Sequence, residues 1–224
     1  MLHMRDLNRP SAQQPASPQL VADWHERMIE PASRLAHLRS HTRAAHASIE
    51  TVPCLAKLMA PDLTRGGYTR ILVGMLAFHA AVEPAIAAAL EPLPEAQMLL
   101  DGHHQRTLRD DIAFLGAAPE RLRPDVPALP DLASALGALY VVEGGNLGGR
   151  VIARRVANSL GVAPSEGGSF YGGLSAEMAR ARWTRLVQIL EDRRVEIELD
   201  ALSDGACRIF ACLEQWMRRI PADA

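Results

Sequence analysis

His46 and Glu50 stand one helical turn apart in LRSHTRAAHASIE, residues 38–50. At i and i+4 the carboxylate can accept the proton of whichever ring nitrogen is not binding anything. That is the arrangement that usually orients a metal-bound histidine. Arg39 lies seven residues before His46, two turns back on nearly the same face and about 10 Å along the axis. A cation there can hold an acidic group at the edge of a ligand whose centre rests on the imidazole. His41, five residues from His46, points elsewhere and reads as solvent-facing. A single histidine on a helix is most often structural, so it is the Arg–His–Glu line that points to a ligand.

The second chemical feature is ALYVVEGGNLGGRVIARR, residues 138–155, where four glycines crowd into six residues of a helical pattern. Each costs about 1 kcal/mol relative to alanine in a helix interior. The glycines at 144, 145, 148 and 149 do not have the spacing of a dinucleotide turn and do not follow a strand. A phosphate loop would need a following Lys-Ser/Thr. Gly144 and Gly148 match the spacing of membrane helix pairs, but Glu143, Asn146 and Arg150 exclude a lipid setting. Two readings remain: close helix packing or a kink, and a bare backbone face for a flat ligand. For the second, Gly144 and Gly148 share a face with Tyr140 at i, i+4 and i+8, and glycine is the default where backbone approaches a ligand closely. His79, among apolar neighbours, reads as a core or pocket-edge residue, and His103 and His104 as surface residues preceding a helix. No HExxH or ExxH pair supports a zinc hydrolase or a di-iron carboxylate bundle.

The elements that must carry these residues are helices. Leu35, Leu38, Thr42, Ala45 and Ile49 form one stripe; Ile71, Met75, Phe78 and Val82 form another, before a Pro84 that kinks or ends the helix. Leu108, Ile112 and Leu115 mark a third, stopped by Gly116. Leu132, Leu136 and Leu139 lead into the glycines. Trp183, Leu186, Val187 and Leu190 continue the pattern, and Ile209, Leu213 and Trp216 close it. Pro and Gly punctuate the connections, and no alternating run of β-branched residues occurs. The expectation is an all-α fold: a polar tail over residues 1–18, rich in Pro, Ser and Gln, and one helical domain over 19–224.

The totals agree. The chain of 224 residues is 48% hydrophobic and 22% charged, with a formal charge of −2 and 4% aromatic residues. That balance offers no basic surface or stacking platform for nucleic acid and no attraction to an anionic membrane. Three cysteines, with no CxxC, fit a reducing cytoplasm rather than a disulfide scaffold. The N-terminus lacks a signal peptide's apolar segment, and the run ILVGMLAFHAAV is too short to span a membrane.

Together the two chemical stretches resemble the heme oxygenase family, most closely its small bacterial members. One match is L-R-x-x-T-x-x-x-H-x-x-x-E/D, here Leu38, Arg39, Thr42, His46 and Glu50. The other is L-Y-x-x-E-G-x-N-L-G, here Leu139 through Gly148. YTRILVGMLAFHAAVEPAI, RTLRDDIAFLG and RARWTRLVQIL also look like the family's other helices, so the likeness runs from about residue 33 to 218.

The resemblance implies His46 as the proximal iron ligand, partnered by Glu50, with Arg39 and Tyr140 at the heme propionates. Gly144 and Gly148 would be distal glycines against the heme face. Some members carry an Asp directly after the first distal glycine to hold water; here that position is Gly145, which leaves Asn146 and Arg150 as the candidates for that task. The implied activity is oxidative opening of heme, both cofactor and substrate, to biliverdin with release of CO and ferrous iron. It would use O2 and an external reductant such as ferredoxin or a flavin reductase, because no flavin or nicotinamide motif is visible. A photoreceptor that accepts biliverdin is a further partner it allows. Two alternatives stand beside it: a heme-handling protein without ring opening, and another all-α oxidase on the same scaffold.

Overall fold

The computed structural model describes residues 33–222, which lie in one compact unit, Ala32–Ala224. The tail at 1–18 and the domain start at residue 19 fall outside the described residues. Among those described there are nine α-helices and no strand: α1 Arg34–Glu50, α2 Pro53–Lys57, α3 Arg65–Ala89, α4 Pro94–Gln97, α5 His103–Phe114, α6 Leu132–Leu160, α7 Ser169–Gly172, α8 Ala176–Glu191 and α9 Leu199–Met217. The all-α expectation holds.

α6 and α9 form the closest pair, and α1 packs on α9. Two glycines outside the glycine-rich stretch make the first contact possible. A Cβ on Gly137 would sit 2.0 Å from the Leu202 carbonyl oxygen, and one on Gly205 would sit 2.1 Å from that of Ser134. Here glycine is required because backbone meets backbone. Around this crossing Leu38, Leu136, Leu139, Leu202 and Ile209 are fully buried.

The helix ends follow local chemistry. Asp131 and Ser134 form a reciprocal capping box at the start of α6, and Gly161 ends that helix at φ +67°. α1 and α8 cap each other. Glu191 accepts the backbone N–H groups of Arg34 and Leu35 at 3.3 and 2.9 Å, while the Arg34 guanidinium donates to the carbonyls of Leu190, Asp192 and Val195 at 2.9–3.0 Å. The helix bearing His46 is thereby fixed at its N-terminus to the helix bearing Trp183.

α3 runs through Pro84 to Ala89 instead of ending there. Proline has no N–H for the carbonyl four residues back, and Arg123 donates to that orphaned Ala80 oxygen at 2.9 Å. With 25 residues α3 is therefore longer than its apolar run suggests, and long and apolar enough by length and composition to cross a membrane. Most of its apolar stretch is buried in the molecule, and it carries buried His79 and Glu83.

Candidate functional site

The histidine helix and the glycine helix approach at Thr42 and Tyr140. Thr42, buried on α1, donates its hydroxyl to the Leu38 carbonyl at 2.7 Å and lies beside the Tyr140 phenol of α6. Burial pushes the Tyr140 phenol up from its ordinary value, against the Thr42 hydroxyl and the nearby charge of Arg39. Arg39 and Tyr140 thus lie near one another. One turn beyond Thr42 is His46, and one turn beyond Tyr140 is Gly144.

The His46 side chain is 65% exposed, and its Nδ1 lies 3.5 Å from Oε1 of Glu50, itself 70% exposed. At that distance Glu50 lies beside the ring without a hydrogen bond to it, and Nε2 is left for a ligand. The ring stands edge-on to Phe210 of α9 with centroids 6.0 Å apart.

On the other helix, α6 continues helically through all four glycines. They divide sharply. A Cβ on Gly149 would lie 3.0 Å from the Tyr171 carbonyl oxygen, so that glycine serves packing. A Cβ on Gly144 would make only ordinary contact, 3.8 Å from the Trp183 ring, and at Gly145 or Gly148 it would meet nothing within 4 Å. Helix packing therefore demands glycine at 149 but not at 144, 145 or 148; a Cβ at Gly144 would rest against Trp183, and one at Gly148 would point into open space.

Asn146, between them, does not project freely. Its Nδ2 donates to Oε2 of Glu143 at 3.3 Å, and its Oδ1 lies 3.1 Å from Nε2 of His104. Glu143 is fully buried and takes a two-pronged bond from Arg182, Nε at 3.0 Å and Nη2 at 2.7 Å. Arg182 also reaches Asp101 at 2.9 Å and the Leu99 carbonyl. On its other side His104 bonds through Nδ1 to Glu83 at 2.9 Å, and His79 bonds to the same Glu83 oxygen at 2.9 Å. Gln105 donates to the second Glu83 oxygen at 2.8 Å. Burial alone would raise the Glu83 carboxyl, but the bonds from His104 and His79 outweigh it and hold it far below the usual range. Burial lowers the affinity of His79 for a proton, against its Glu83 bond and with the His104 ring beside it.

This chain of polar groups was missed in part by the sequence reading. His104 is not at the surface but 4% exposed, because Gly102 at φ +75° turns the chain so that α5 sets this ring against α3. The available signal was the His79–Glu83 pair, which has the same i, i+4 spacing as His46–Glu50. Glu143 and Arg182 gave no such signal, and Arg150 is exposed. Donor atoms of His79, Glu83 and His104 lie within 4.8 Å of one another, close enough to suggest a metal. The two rings, however, stack at 4.7 Å with planes only 23° apart. Both Nδ1 atoms are instead spent on the same Glu83 oxygen at 2.9 Å, so the cluster is a hydrogen-bonded one.

The described domain is all-helical, with an exposed imidazole on one helix and a glycine face free of packing side chains on another. The chain belongs to the heme oxygenase family, whose pattern it matches over residues 33–219, and with that to proteins of heme degradation in general. Its fold is that of the Neisseria meningitidis heme oxygenase solved with NO and CO bound, at 22% identity and a TM-score of 0.68, covering 86% of this chain and 96% of that one. The Leptospira interrogans heme oxygenase is similar at 16% identity and TM-score 0.63, covering 84% and 99%. Heme oxygenase-1 of the cyanobacterium Synechocystis, solved in complex with heme, gives 15% and 0.62, covering 84% and 92%. No curated protein matches the chain by sequence. The residues present fit a heme: the exposed imidazole offers a ligand nitrogen, and the face of Gly144 and Gly148 is a cradle that a Cβ would begin to fill.

Proposed function

We propose that this protein is a heme-degrading oxygenase that opens the porphyrin to biliverdin and releases CO and ferrous iron. The observation that carries the reading is the bare face at Gly144 and Gly148, two helix-interior glycines with no packing demand, on the helix that meets the His46 helix at Tyr140 and Thr42. When bound, the heme supplies its own iron as the centre at which O2 and electrons react. His46 would hold the iron through its ring nitrogen turned from Glu50. Arg39 and Tyr140 hold the acidic edge and so set how the macrocycle is rotated. Gly144 and Gly148 of α6 would let backbone approach the ring where side chains would keep it away. Asn146 is tied at both ends of its amide, to Glu143 and to His104. No flavin or nicotinamide motif is present, which supports an external donor of the ferredoxin or flavin reductase type.

The test is a hemin titration of the purified protein, then ascorbate in air, followed from the ultraviolet to the far red. A Soret band saturating at one heme per chain and then decaying as a broad biliverdin band grows is the expected result. Saturation without decay, under a ferredoxin system as well as ascorbate, would instead make it a heme-handling protein. His46→Ala should abolish the histidine-ligated spectrum, and an unchanged spectrum would remove His46 from the reading.

A further inference from the structure

We infer that Trp183 is a specificity-determining residue: its indole is a fixed side wall that sets how the macrocycle is rotated, and hence which meso carbon is opened. The inference rests on the proposed heme reading. On α8 the apolar stripe runs Ala179, Trp183, Leu186 and Leu190, at i, i+4, i+7 and i+11. Ala179, Leu186 and Leu190 are buried, yet Trp183, the largest of the four, is only half-buried. What it packs on explains the difference. Its ring stands 5.6 Å from that of Tyr140, centroid to centroid, tilted by 49°. Its Cζ3 edge lies 3.8 Å from where a Cβ of Gly144 would be, so a residue without a side chain leaves that part of the indole uncovered. Gly148, one turn on and about 6 Å along the axis, has nothing within 4 Å of its Cβ position. The glycine face is therefore unsymmetrical, closed by two aromatic rings at the Gly144 end and open at Gly148.

A wall selects an orientation only if it does not yield, and the neighbouring residues supply the stiffness. Arg182 precedes Trp183 as Glu143 precedes Gly144, and Arg182 donates to the fully buried Glu143 carboxylate at 3.0 and 2.7 Å. Arg182 also holds Asp101 at 2.9 Å and the Leu99 carbonyl. Two turns further along α8, Glu191 accepts the N–H groups of Arg34 and Leu35, which ties the same helix to α1. The register of the indole against Gly144 is thus set by a charge-assisted pair one residue away on each helix. The chemistry of the ligand makes such a wall matter. The meso carbons of heme differ only in the substituents on the rim beside them. Arg39 and Tyr140 anchor an acidic edge, but a disc held at one edge still pivots and can be turned over. One methylene more or less in an apolar pocket discriminates by about 10–200-fold. A rigid ring set beside the rim's methyl and vinyl groups is therefore enough to favour one rotation.

The test reads orientation without turnover. In the full chain loaded with ferric heme and cyanide, the 1H shifts of the heme methyl groups report how the macrocycle is rotated. The parent should show one dominant set. Trp183→Ala should mix the sets, lowering the major-to-minor ratio about tenfold or more, and Trp183→Phe, with a flat but narrower ring, should lie between. Should alanine prevent folding, judged by circular dichroism of the heme-free protein, Trp183→Leu keeps apolar bulk on the α8 stripe and should mix the sets likewise. An unchanged ratio in every folded variant, or a parent already evenly mixed, would overturn the inference. With ascorbate in air, the biliverdin isomers separated by chromatography should follow the populations seen in the spectra. Isomers that stay as in the parent while the orientations mix would overturn the link to the carbon opened. Sets that mix in Trp183→Ala without ring opening in any protein would support the wall and sink the oxygenase reading alone. A parent that takes up no hemin would overturn both.

Discussion

Replacing Gly148 with alanine adds one methyl group to a helix face where it would meet no protein atom within 4 Å. In the heme-free protein the change should stabilise. A helix-interior Gly→Ala gains about 1 kcal/mol, which for a chain of this length raises Tm by about 2–4 °C. The same substitution at Gly137 should do the reverse. Its methyl would lie 2.0 Å from the Leu202 carbonyl oxygen and 2.8 Å from the Ala206 nitrogen, against fixed backbone. α6 and α9 would have to part by more than an ångström, and overpacking of that kind costs about 1–3 kcal/mol even where side chains can yield. Circular dichroism of the two heme-free variants gives the stability signs. A hemin titration then separates function, because Gly148→Ala puts its methyl on the face proposed for the macrocycle and should weaken binding about tenfold or more. Gly137→Ala, where folded, should bind with unchanged affinity. A Gly148→Ala protein that is less stable than the parent, or that takes up hemin equally well, would refute the reasoning that this glycine is kept for a ligand.

Arg182→Met should destabilise by about 3–5 kcal/mol, seen as a lowered urea midpoint, because it leaves the fully buried Glu143 carboxylate without its partner. Asp131→Ala removes the cap of α6 and should cost about 1 kcal/mol, without changing the hemin spectrum. Acid should weaken the fold in two stages. His79 binds its proton less readily when folded, so its stability is complete above its ordinary value of 6.5 and is lost as pH falls below it. Glu83 is depressed, so its contribution is complete above its ordinary value of 4.5 and is lost as pH falls further. Urea midpoints of the heme-free protein between pH 7.5 and 5.5 should therefore fall, and fall less in His79→Gln; equal slopes would dismiss the His79 part.

Much of this protein is written in spacing alone. Stripes at three and four residues give the helices, and i, i+4 pairing puts Glu50 beside His46. The i, i+4, i+8 series puts Tyr140, Gly144 and Gly148 on one face. These are local regularities, fixed by 3.6 residues per turn whatever lies across the way. Tertiary structure alone decided which regularities matter. His79–Glu83 and His46–Glu50 have identical spacing, yet one pair is buried and bonded to a third residue 21 positions on, while the other faces outward. Gly137 and Gly148 look alike in a helix of 29 residues, but only the packing of α9 shows that the first is filled by backbone and the second by no protein atom. Arg182 and Glu143 are 39 residues apart, and their pairing depends on where α8 crosses α6. Periodicity states which side chains share a face; it holds no term for what the opposite element presents to that face, and that is where the candidate site acquires its shape and its charge.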